Sequence, residues 1–285
     1  MPRHPRNNKA IAVLLLAFLT GCASPEPPPP LVTSYEEAEA ALLDSDENLR
    51  LEGVRFLGDS RIPSGIPLIA GRLKDESVLV RIEATLALNN FQDPRTIEPL
   101  RSALGDEEEA VRFSAASSLF ELGDYSGECV LVEGLESEYE DFRFQALMFL
   151  GKMRSREAFP GIVKLLRDTQ PRTRSTAAYI LGLYQDRSAI GPLIEAMNDP
   201  DPFVRKDSGD AVRALSGQDF PFHHDDDPLI RDKERKVWQE WWEAEEKPPP
   251  SEEELPLSEE EPPLSEEKPL LSEDKPDMTT QDMKP

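Results

Sequence analysis

Arginine recurs along the chain at a constant interval of 31 residues. The six positions are Arg50, Arg81, Arg112, Arg143, Arg174 and Arg205. In five of the six cases an aspartate precedes the arginine by six residues, and Ser137 takes its place before Arg143. A small residue follows each arginine by three positions, in the series Gly53, Ala84, Ala115, Ala146, Ala177 and Ser208. A fixed period of this length predicts stacked supersecondary units, because no single unit of that size can bury its own apolar face.

Each repeat has the hydrophobic spacing of two helices. In the second repeat, Val80, Ala84 and Leu88 lie on one helical face. Turn-forming residues follow from 89 to 94, after which Ile97 and Leu100 resume a helical pattern. The second-helix position recurs at the same interval as Ile69, Leu100, Leu131, Ile162 and Leu193. The sequence therefore predicts an all-α fold, an α-solenoid of about six 31-residue helix-pair repeats with disordered termini.

The repeat resembles the short HEAT-like repeats that are also found in phycobilisome lyase subunits. In the second repeat the residues that carry the resemblance are Asp75, Val80, Arg81, Ala84, Leu88, Asp93, Leu100 and Leu104. The resemblance extends over the companion repeats, from Asp44 to about Gly217. It implies that the acid and the arginine of successive repeats form hydrogen bonds that fix the stacking. We therefore interpret the arginines as struts between repeats and not as ligand contacts.

The repeats are predicted to fill residues 34–217, with a closing element at the amino-terminal end. Ser34 and Glu37 have the spacing of a helix capping box, which indicates a short helix there. Ala38 and Leu42 occupy the second-helix positions of the repeat pattern. This short helix is therefore expected to be a half-repeat that closes the first full repeat.

At the carboxyl-terminal end, the last repeat loses its second helix. A helix over 232–246 is predicted instead, and it places Trp238, Trp241 and Trp242 on one face. We interpret residues 218–246 as a cap whose tryptophans cover the apolar end of the stack. An aromatic platform for a ligand is the alternative.

Residues 1–21 have the features of a lipoprotein signal peptide. A short basic segment comes first, and a stretch of ten apolar residues follows from Ala10 to Leu19. That stretch is too short to span a bilayer, which takes about 20 residues. The sequence Leu19-Thr20-Gly21-Cys22 resembles the bacterial lipobox. The resemblance implies cleavage before Cys22 and lipid attachment to its thiol, so that the protein is anchored to a membrane outside the cytoplasm.

Residues 22–33 are predicted to be a Pro-rich linker that holds the repeats away from the lipid, because five of them are prolines. Ala23, rather than an aspartate, follows the predicted lipidated cysteine. By resemblance to lipoprotein sorting in double-membrane bacteria, this implies the outer membrane, facing the periplasm. In a single-membrane bacterium the same anchor would place the protein on the cell surface.

The acidic balance of the chain excludes some partners. Its 56 aspartates and glutamates outnumber 32 lysines and arginines, for a formal net charge of −24. Such a charge repels nucleic acid, so no nucleic-acid partner is predicted. Residues 247–285 add to it with twelve acidic residues and four lysines, and nine prolines break any helix there. We predict a disordered acidic tail, which is either a docking segment for a basic partner or a solubilising brush.

Signals for catalysis are scarce. The histidines are His4, which is lost with the predicted signal peptide, and the pair His223 and His224, which precedes three aspartates. This cluster lacks the spacing that aims ligands at one ion, so no metal and no cofactor are predicted. Cys129 is the one thiol left after lipidation of Cys22, which excludes an intrachain disulfide. Its equivalents in other repeats include proline, glutamate and glycine, so partial exposure of Cys129 is expected.

The predicted function is that of a non-catalytic scaffold that binds another protein of the cell envelope. The candidate surface is the polar side of the second helices, formed by Glu98, Arg101, Glu133, Lys164 and Glu195. Its mixed charge fits a protein partner better than a polyanion. The alternative is a HEAT-repeat enzyme or enzyme subunit, similar to the lyases that attach bilins or to the di-iron hydroxylases. Those hydroxylases use His-Glu pairs on their helices, and no His-Glu dipeptide occurs in this chain.

Overall fold

The computed structural model describes residues 32–246, which form helices joined by short turns. Residues 1–31 and 247–285 lie outside the described residues, and with them the predicted signal peptide, Cys22, most of the linker and the acidic tail. The α-helices of the described part are α1 (Tyr35–Ala41), α2 (Glu47–Ser60), α3 (Gly65–Arg72), α4 (Val78–Asn90), α5 (Ile97–Ala103), α6 (Glu109–Glu121), α7 (Glu128–Gly134), α8 (Glu140–Met153), α9 (Phe159–Lys164), α10 (Pro171–Leu183), α11 (Ile190–Ala196), α12 (Pro202–Ser216) and α13 (Pro228–Glu246). Short 3-10 helices occupy Pro94–Thr96, Leu165–Arg167 and Arg187–Ala189. No strand occurs within 32–246, so the all-α prediction is confirmed for this part of the chain.

The helices alternate between long first helices and short second helices. The first helices of the six repeats, α2, α4, α6, α8, α10 and α12, are 13 to 15 residues long. The second helices, α3, α5, α7, α9 and α11, are 6 to 8 residues long. The described residues from 32 to 244 form one compact unit, and its helix pairs make the α-solenoid that the period predicts.

The repeated aspartate closes the turn before each first helix. Its carboxylate accepts the backbone N–H two residues later, at 2.8 to 3.0 Å, in an Asx turn. The residues concerned are Asp44, Asp75, Asp106, Asp168 and Asp199. Ser137 keeps the turn with its hydroxyl, which accepts the N–H of Tyr139 at 3.2 Å. The position therefore has a local role that is independent of the arginine.

The small residues after the arginines are buried where neighbouring helices approach most closely. Full burial is found for Ala84, Ala115, Ala146, Ala177 and Ser208. A Cβ added to Gly53 would lie 2.9 Å from the carbonyl oxygen of Ala38 in α1, closer than a side chain can approach. The repeat thus reserves this column for small residues because helices that pack at about 8 to 10 Å leave no room for more.

Ser34 caps the start of the half-repeat α1, because its hydroxyl accepts the N–H of Glu37 at 3.2 Å. The Glu37 carboxylate accepts the N–H of Thr33 at 2.7 Å, one residue earlier than a capping box requires. Ala38 and Leu42 are buried, as their second-helix positions predict. The helix therefore covers the first repeat as expected, with a modified cap.

The cap helix α13 begins at Pro228, earlier than the predicted start at Asp232, because the Asp227 carboxylate accepts the N–H of Leu229 at 2.8 Å. Trp238 is fully buried, and its ring packs edge-on against Phe220 at a centroid distance of 4.9 Å. Trp241 packs edge-on against the same two rings. Large buried rings of this kind cover the apolar end of a stack of repeats, as the predicted cap requires.

Within residues 32–246, no helix combines the length and the apolar composition that crossing a bilayer would demand.

Two truncations separate the cap from the tail. A chain that ends at Glu246 keeps the aromatic cluster and should unfold cooperatively with the melting temperature of the full chain, because nothing buried within 32–245 is lost. A chain that ends at Asp227 loses Trp238 and exposes the apolar end of the stack, so it should aggregate or fray. Circular dichroism melting and light scattering measure both effects. Equal stability and monodispersity of the two chains would show that the tryptophans are not a cap.

Candidate functional site

The repeated arginine joins the turn of its own repeat to the turn of the next one. Nη1 of Arg81 donates to the carbonyl oxygen of Asp75, at 2.9 Å, within its own repeat. Nε and Nη2 donate to the two carboxylate oxygens of Asp106, at 2.8 and 3.0 Å, in the following repeat. Such a bidentate pair constrains both the distance and the angle between its partners.

The same bridge recurs at three other repeat boundaries. We call the four pairs the arginine ladder: Arg50–Asp75, Arg81–Asp106, Arg143–Asp168 and Arg174–Asp199. Their side chains are only 3% to 14% exposed. The interpretation of these arginines as struts between repeats is therefore confirmed at these four boundaries.

Electrostatics follow the geometry of the ladder. Burial raises the pKa of Asp168, but hydrogen bonds from Arg143 and from the N–H of Gln170 outweigh burial, so the pKa lies below its ordinary value. The hydrogen bond to Asp168 likewise raises the pKa of Arg143. A carboxylate whose folded-state pKa is lowered stabilises the fold above its unfolded pKa, and this stabilisation is lost as the pH falls through the folded pKa.

The ladder is interrupted between the third and fourth repeats. Arg112 donates to the carbonyl oxygens of Asp106 and Glu107, at 3.0 and 3.1 Å, as the other arginines do within their own repeats. At the position where the next repeat should supply a carboxylate stands Ser137, whose short side chain closes its own turn. The prediction that Arg112 bonds across a repeat boundary is therefore wrong.

At the last repeat, the arginine binds the loop before the cap helix in place of a following repeat. Arg205 donates from Nε to the carbonyl oxygen of His224, at 2.7 Å, in the loop before α13. Its Nη1 binds the carbonyl oxygens of Asp199 and Pro200, at 3.0 and 2.9 Å. A backbone carbonyl thus replaces the aspartate of a following repeat.

The five residues of the predicted partner surface lie on the second helices α5, α7, α9 and α11, and all are exposed. Arg101 binds Glu98 on its own helix and Asp124 in the next turn, both at 2.5 Å. Lys164 pairs with Glu136 at 2.5 Å, and Glu195 pairs with Arg167 at 2.6 Å. Four of the five predicted residues are thus already ion-paired at the surface, and we call this face the second-helix surface.

A cleft of about 670 Å³ opens on the second-helix surface between α9 and α11. Its exposed charges are those of Lys164, Arg167 and Glu195, and Leu166 and Ala196 supply apolar contacts. The lining also includes the paired ladder residues Asp168, Arg174 and Asp199. Since two of the predicted residues line one cleft, this part of the surface offers a partner both ionic and apolar contacts.

A groove on the first helices was not predicted from the sequence. It lies across α4, α6 and α8, has a cavity volume of about 130 Å³, and we call it the first-helix groove. Its apolar lining comes from Leu79, Ile82, Leu86, Phe113, Phe142 and Phe149, and its polar rim includes Asn89, Ser117, Glu121 and Gln145. The available signal was the coincidence of two phenylalanine pairs on α6 and α8, Phe113 with Phe142 and Phe120 with Phe149, each separated by 29 residues.

The structure groups a different set of residues around His223 than the sequence did. The sequence suggested a cluster of the five consecutive residues 223–227. Ligand atoms of His223, Asp226 and Glu234 lie within 4.8 Å of one another, and Glu234 comes from α13. The Glu234 carboxylate accepts the backbone N–H of His223 at 2.7 Å and contacts its Nδ1 at 2.6 Å. His224 instead supplies the carbonyl that binds Arg205. This geometry gives the cluster a role in fastening the loop to the cap helix.

Cys129 is exposed on α7, as its repeat position predicts.

The profile of the HEAT repeats family matches residues 36–124 and 129–215, more than half of the 285-residue chain. The chain belongs to the HEAT-repeat family. The matched ranges begin in the half-repeat α1 and end in α12. No curated protein sequence matches the chain.

Several solved structures share the fold at low sequence identity. YibA of Escherichia coli is 17% identical with a TM-score of 0.53, over 72% of this chain and 81% of its own. The complex of CpcE and CpcF of phycocyanin lyase from Nostoc sp. PCC7120 is 18% identical with a TM-score of 0.45, over 77% and 99%. A designed armadillo repeat protein in complex with the peptide (KR)4 is 18% identical with a TM-score of 0.48, over 64% and 100%. At these identities the likeness concerns the fold alone.

The interrupted ladder of this HEAT-repeat chain leads to a stability prediction. Ser137→Asp should restore the missing carboxylate opposite Arg112 and raise the stability by about 1 kcal/mol, a few degrees in melting temperature. Arg143→Ala, which breaks an existing bridge and leaves Asp168 unpaired, should cost about 1 to 3 kcal/mol. Arg112→Ala should cost less, because it removes only bonds to carbonyls within its own repeat.

The double variant Arg112→Ala with Ser137→Asp is the control for this prediction. Its stability should not exceed that of Arg112→Ala, because the new aspartate then has no arginine to bind. A stabilisation by Ser137→Asp that persists without Arg112 would show that the gain comes from the turn and not from a restored bridge.

The link between His223 and Glu234 predicts a pH dependence for the cap. The hydrogen bond to Glu234 raises the pKa of His223 above its ordinary value of 6.5. A raised folded-state pKa contributes stability that is complete below the unfolded pKa and is lost as the pH rises through the folded pKa. The melting temperature of the wild type should therefore fall on going from below pH 6.5 to above the folded pKa, and His223→Asn should remove that change. His224→Asn keeps the carbonyl that binds Arg205 and should show the same pH dependence as the wild type. If both variants lost the pH dependence equally, it could not be assigned to the link between His223 and Glu234.

Proposed function

We propose that the protein is a lipid-anchored, non-catalytic scaffold that binds another protein of the bacterial cell envelope through its second-helix surface. The observation that carries the proposal is the row of exposed charges on successive second helices, with the cleft between α9 and α11 at Lys164 and Glu195. HEAT repeats place such side chains at regular spacing along an extended face, which suits contact with another protein.

The ion pairs of this surface are suited to exchange with a partner. Lys164 and Glu136 are 70% and 65% exposed, and Arg167 and Glu195 are 82% and 66% exposed. Exposed pairs of this kind contribute little to stability, so a partner can replace them at little cost. Their alternating signs provide electrostatic complementarity to a partner of mixed charge.

The envelope location rests on the sequence of the amino terminus. Leu19-Thr20-Gly21-Cys22 resembles a lipobox, and the five prolines that follow form a spacer between a lipid anchor and the repeats. Attachment through the thiol of Cys22 is the step on which the location depends.

The absence of a catalytic role is part of the proposal. It rests on the distribution of histidine, since none occurs between His4 and His223, and therefore none lies on the repeat helices. The di-iron site that a HEAT-repeat hydroxylase builds on its helices uses His-Glu pairs, which the repeat helices of this chain lack.

Replacement of Cys22 tests the anchor. Cys22→Ser removes the thiol that accepts the lipid, so the protein should leave the membrane fraction or accumulate as an unprocessed precursor. Membrane fractionation and mass spectrometry of the amino terminus measure both outcomes. Normal membrane retention together with normal processing in this variant would refute the lipoprotein assignment.

Crosslinking in the membrane fraction followed by pull-down tests the scaffold. We expect one stoichiometric partner, and the double variant Glu133→Lys with Glu195→Lys should weaken its recovery at least about tenfold. Glu240→Lys, on the exposed side of α13, is the matched control and should leave recovery unchanged. Retention of the partner by the double variant would exclude the second-helix surface, and a copurifying chromophore or metal in place of a partner would favour the enzyme alternative.

A further inference from the structure

The third and fourth repeats are packed differently from the other pairs. At the first boundary a Cβ on Gly58 would lie 2.7 Å from the side chain of Ala87, and at the fifth boundary Gly182 faces Ala211 in the same way. At the boundary of the third and fourth repeats, Phe120 and Phe149 occupy the equivalent positions, with ring centroids 4.7 Å apart. Two rings thus occupy the positions where glycine meets alanine at the first and fifth boundaries, and α6 and α8 pack less closely than the other consecutive first helices.

A second aromatic pair widens the same boundary. Phe113 and Phe142 stack at a centroid distance of 4.5 Å with an interplanar angle of 12°. The equivalent pair one repeat earlier is Ile82 and Val111. The missing bridge between Arg112 and Ser137 lies at this boundary too, so no ladder bond draws the two repeats together.

The first-helix groove is the space that this spreading opens. Phe142 and Phe113 are almost fully buried at its base, whereas Phe149 and Leu86 are half-buried at its sides. An apolar cavity of about 150 Å³ is enough to hold benzene. The groove, at about 130 Å³, therefore has room for one aromatic ring or one leucine side chain.

The charge around the groove is negative. The segment from Asp106 to Glu121, which includes the whole of α6, contains five acidic residues and a single base, Arg112. Arg112 is bound to the carbonyls of its own turn. Glu121 is exposed at the rim, where the side-chain amide of Asn89 donates to its carboxylate at 2.5 Å. If an apolar side chain of a partner segment enters the groove, the residues next to it in that segment lie against a negative surface.

We propose that the first-helix groove is a second docking site, which takes one aromatic or leucine side chain from a basic segment of a partner protein. The apolar base receives the anchor, and Glu121 pairs with a lysine or arginine beside it. The acidic tail of this chain, with its leucines next to glutamates, has the wrong charge for this surface. The site lies on other helices than the second-helix surface and does not depend on the scaffold proposal.

A minimal peptide tests the groove. The probe is a labelled synthetic peptide with one phenylalanine flanked on both sides by lysines, and its binding to the purified full-length protein is measured by fluorescence anisotropy. Replacement of the phenylalanine by alanine should weaken binding about tenfold or more, because a buried aromatic anchor carries most of the affinity of such a contact. Replacement of the lysines by glutamates should abolish binding. An absence of binding by the first peptide, or equal binding by all three, would overturn the proposal.

Variants of the protein locate the site. Glu121→Lys, which reverses the charge at the rim, should weaken binding about tenfold, while Glu133→Lys on the second-helix surface should not. Ser117→Trp should fill the groove and reduce binding to a similar extent, and circular dichroism melting verifies that this variant is folded. Equal losses in Glu121→Lys and Glu133→Lys would show nonspecific attraction to an acidic protein and overturn the groove. Tighter binding after removal of residues 247–285 would show that the tail already occupies the groove, which would also overturn the proposal.

Discussion

The bidentate bond between an arginine of one repeat and an aspartate of the next is the interaction on which the stack depends. A charged side chain that is more than four-fifths buried destabilises a fold unless every polar atom finds a partner. The arginine meets this condition with its own turn on one side and the next turn on the other, as Arg81 does with Asp75 and Asp106. Because the aspartate also caps its own turn, each bond fixes a helix start and a repeat boundary together.

The boundary between the third and fourth repeats lacks this bond, and its packing differs as well. Ser137 preserves the turn but removes the bridge, and phenylalanines replace the small or aliphatic residues through which first helices meet. In a stack where each repeat contacts mainly its neighbours, such a change stays local, since the repeats on either side keep their own ladder bonds. The result is a widened boundary with an apolar groove inside a stable array. A continuous ladder through this point would draw the helices together and reduce that space.

Most of the fold could be predicted from the sequence because the same pattern of residues occurs in six repeats. The period, the small column and the acid–arginine pair each follow from a contact that every repeat must make, so coincidence across repeats identifies them. Arg112 was predicted wrongly because its partner lies in the next repeat, where Ser137 has replaced the acid. The start of α13 at Pro228, four residues before the predicted one, was missed because it depends on one hydrogen bond to the Asp227 carboxylate. The groove was missed because its phenylalanines meet at a separation of 29 residues, whereas equivalent positions of the repeat lie 31 residues apart.

The sequence by itself determined the helix pairs, the period at which they repeat and the residues that face the core, because hydrophobic spacing and turn chemistry act over a few residues. It also placed Glu98, Arg101, Glu133, Lys164 and Glu195 on exposed positions of the second helices. Only the tertiary structure decided which charges are paired, which boundary is open and where an apolar cavity remains. Those features depend on distances between side chains of different repeats, and such distances are set by the packing of the whole stack and not by any one segment.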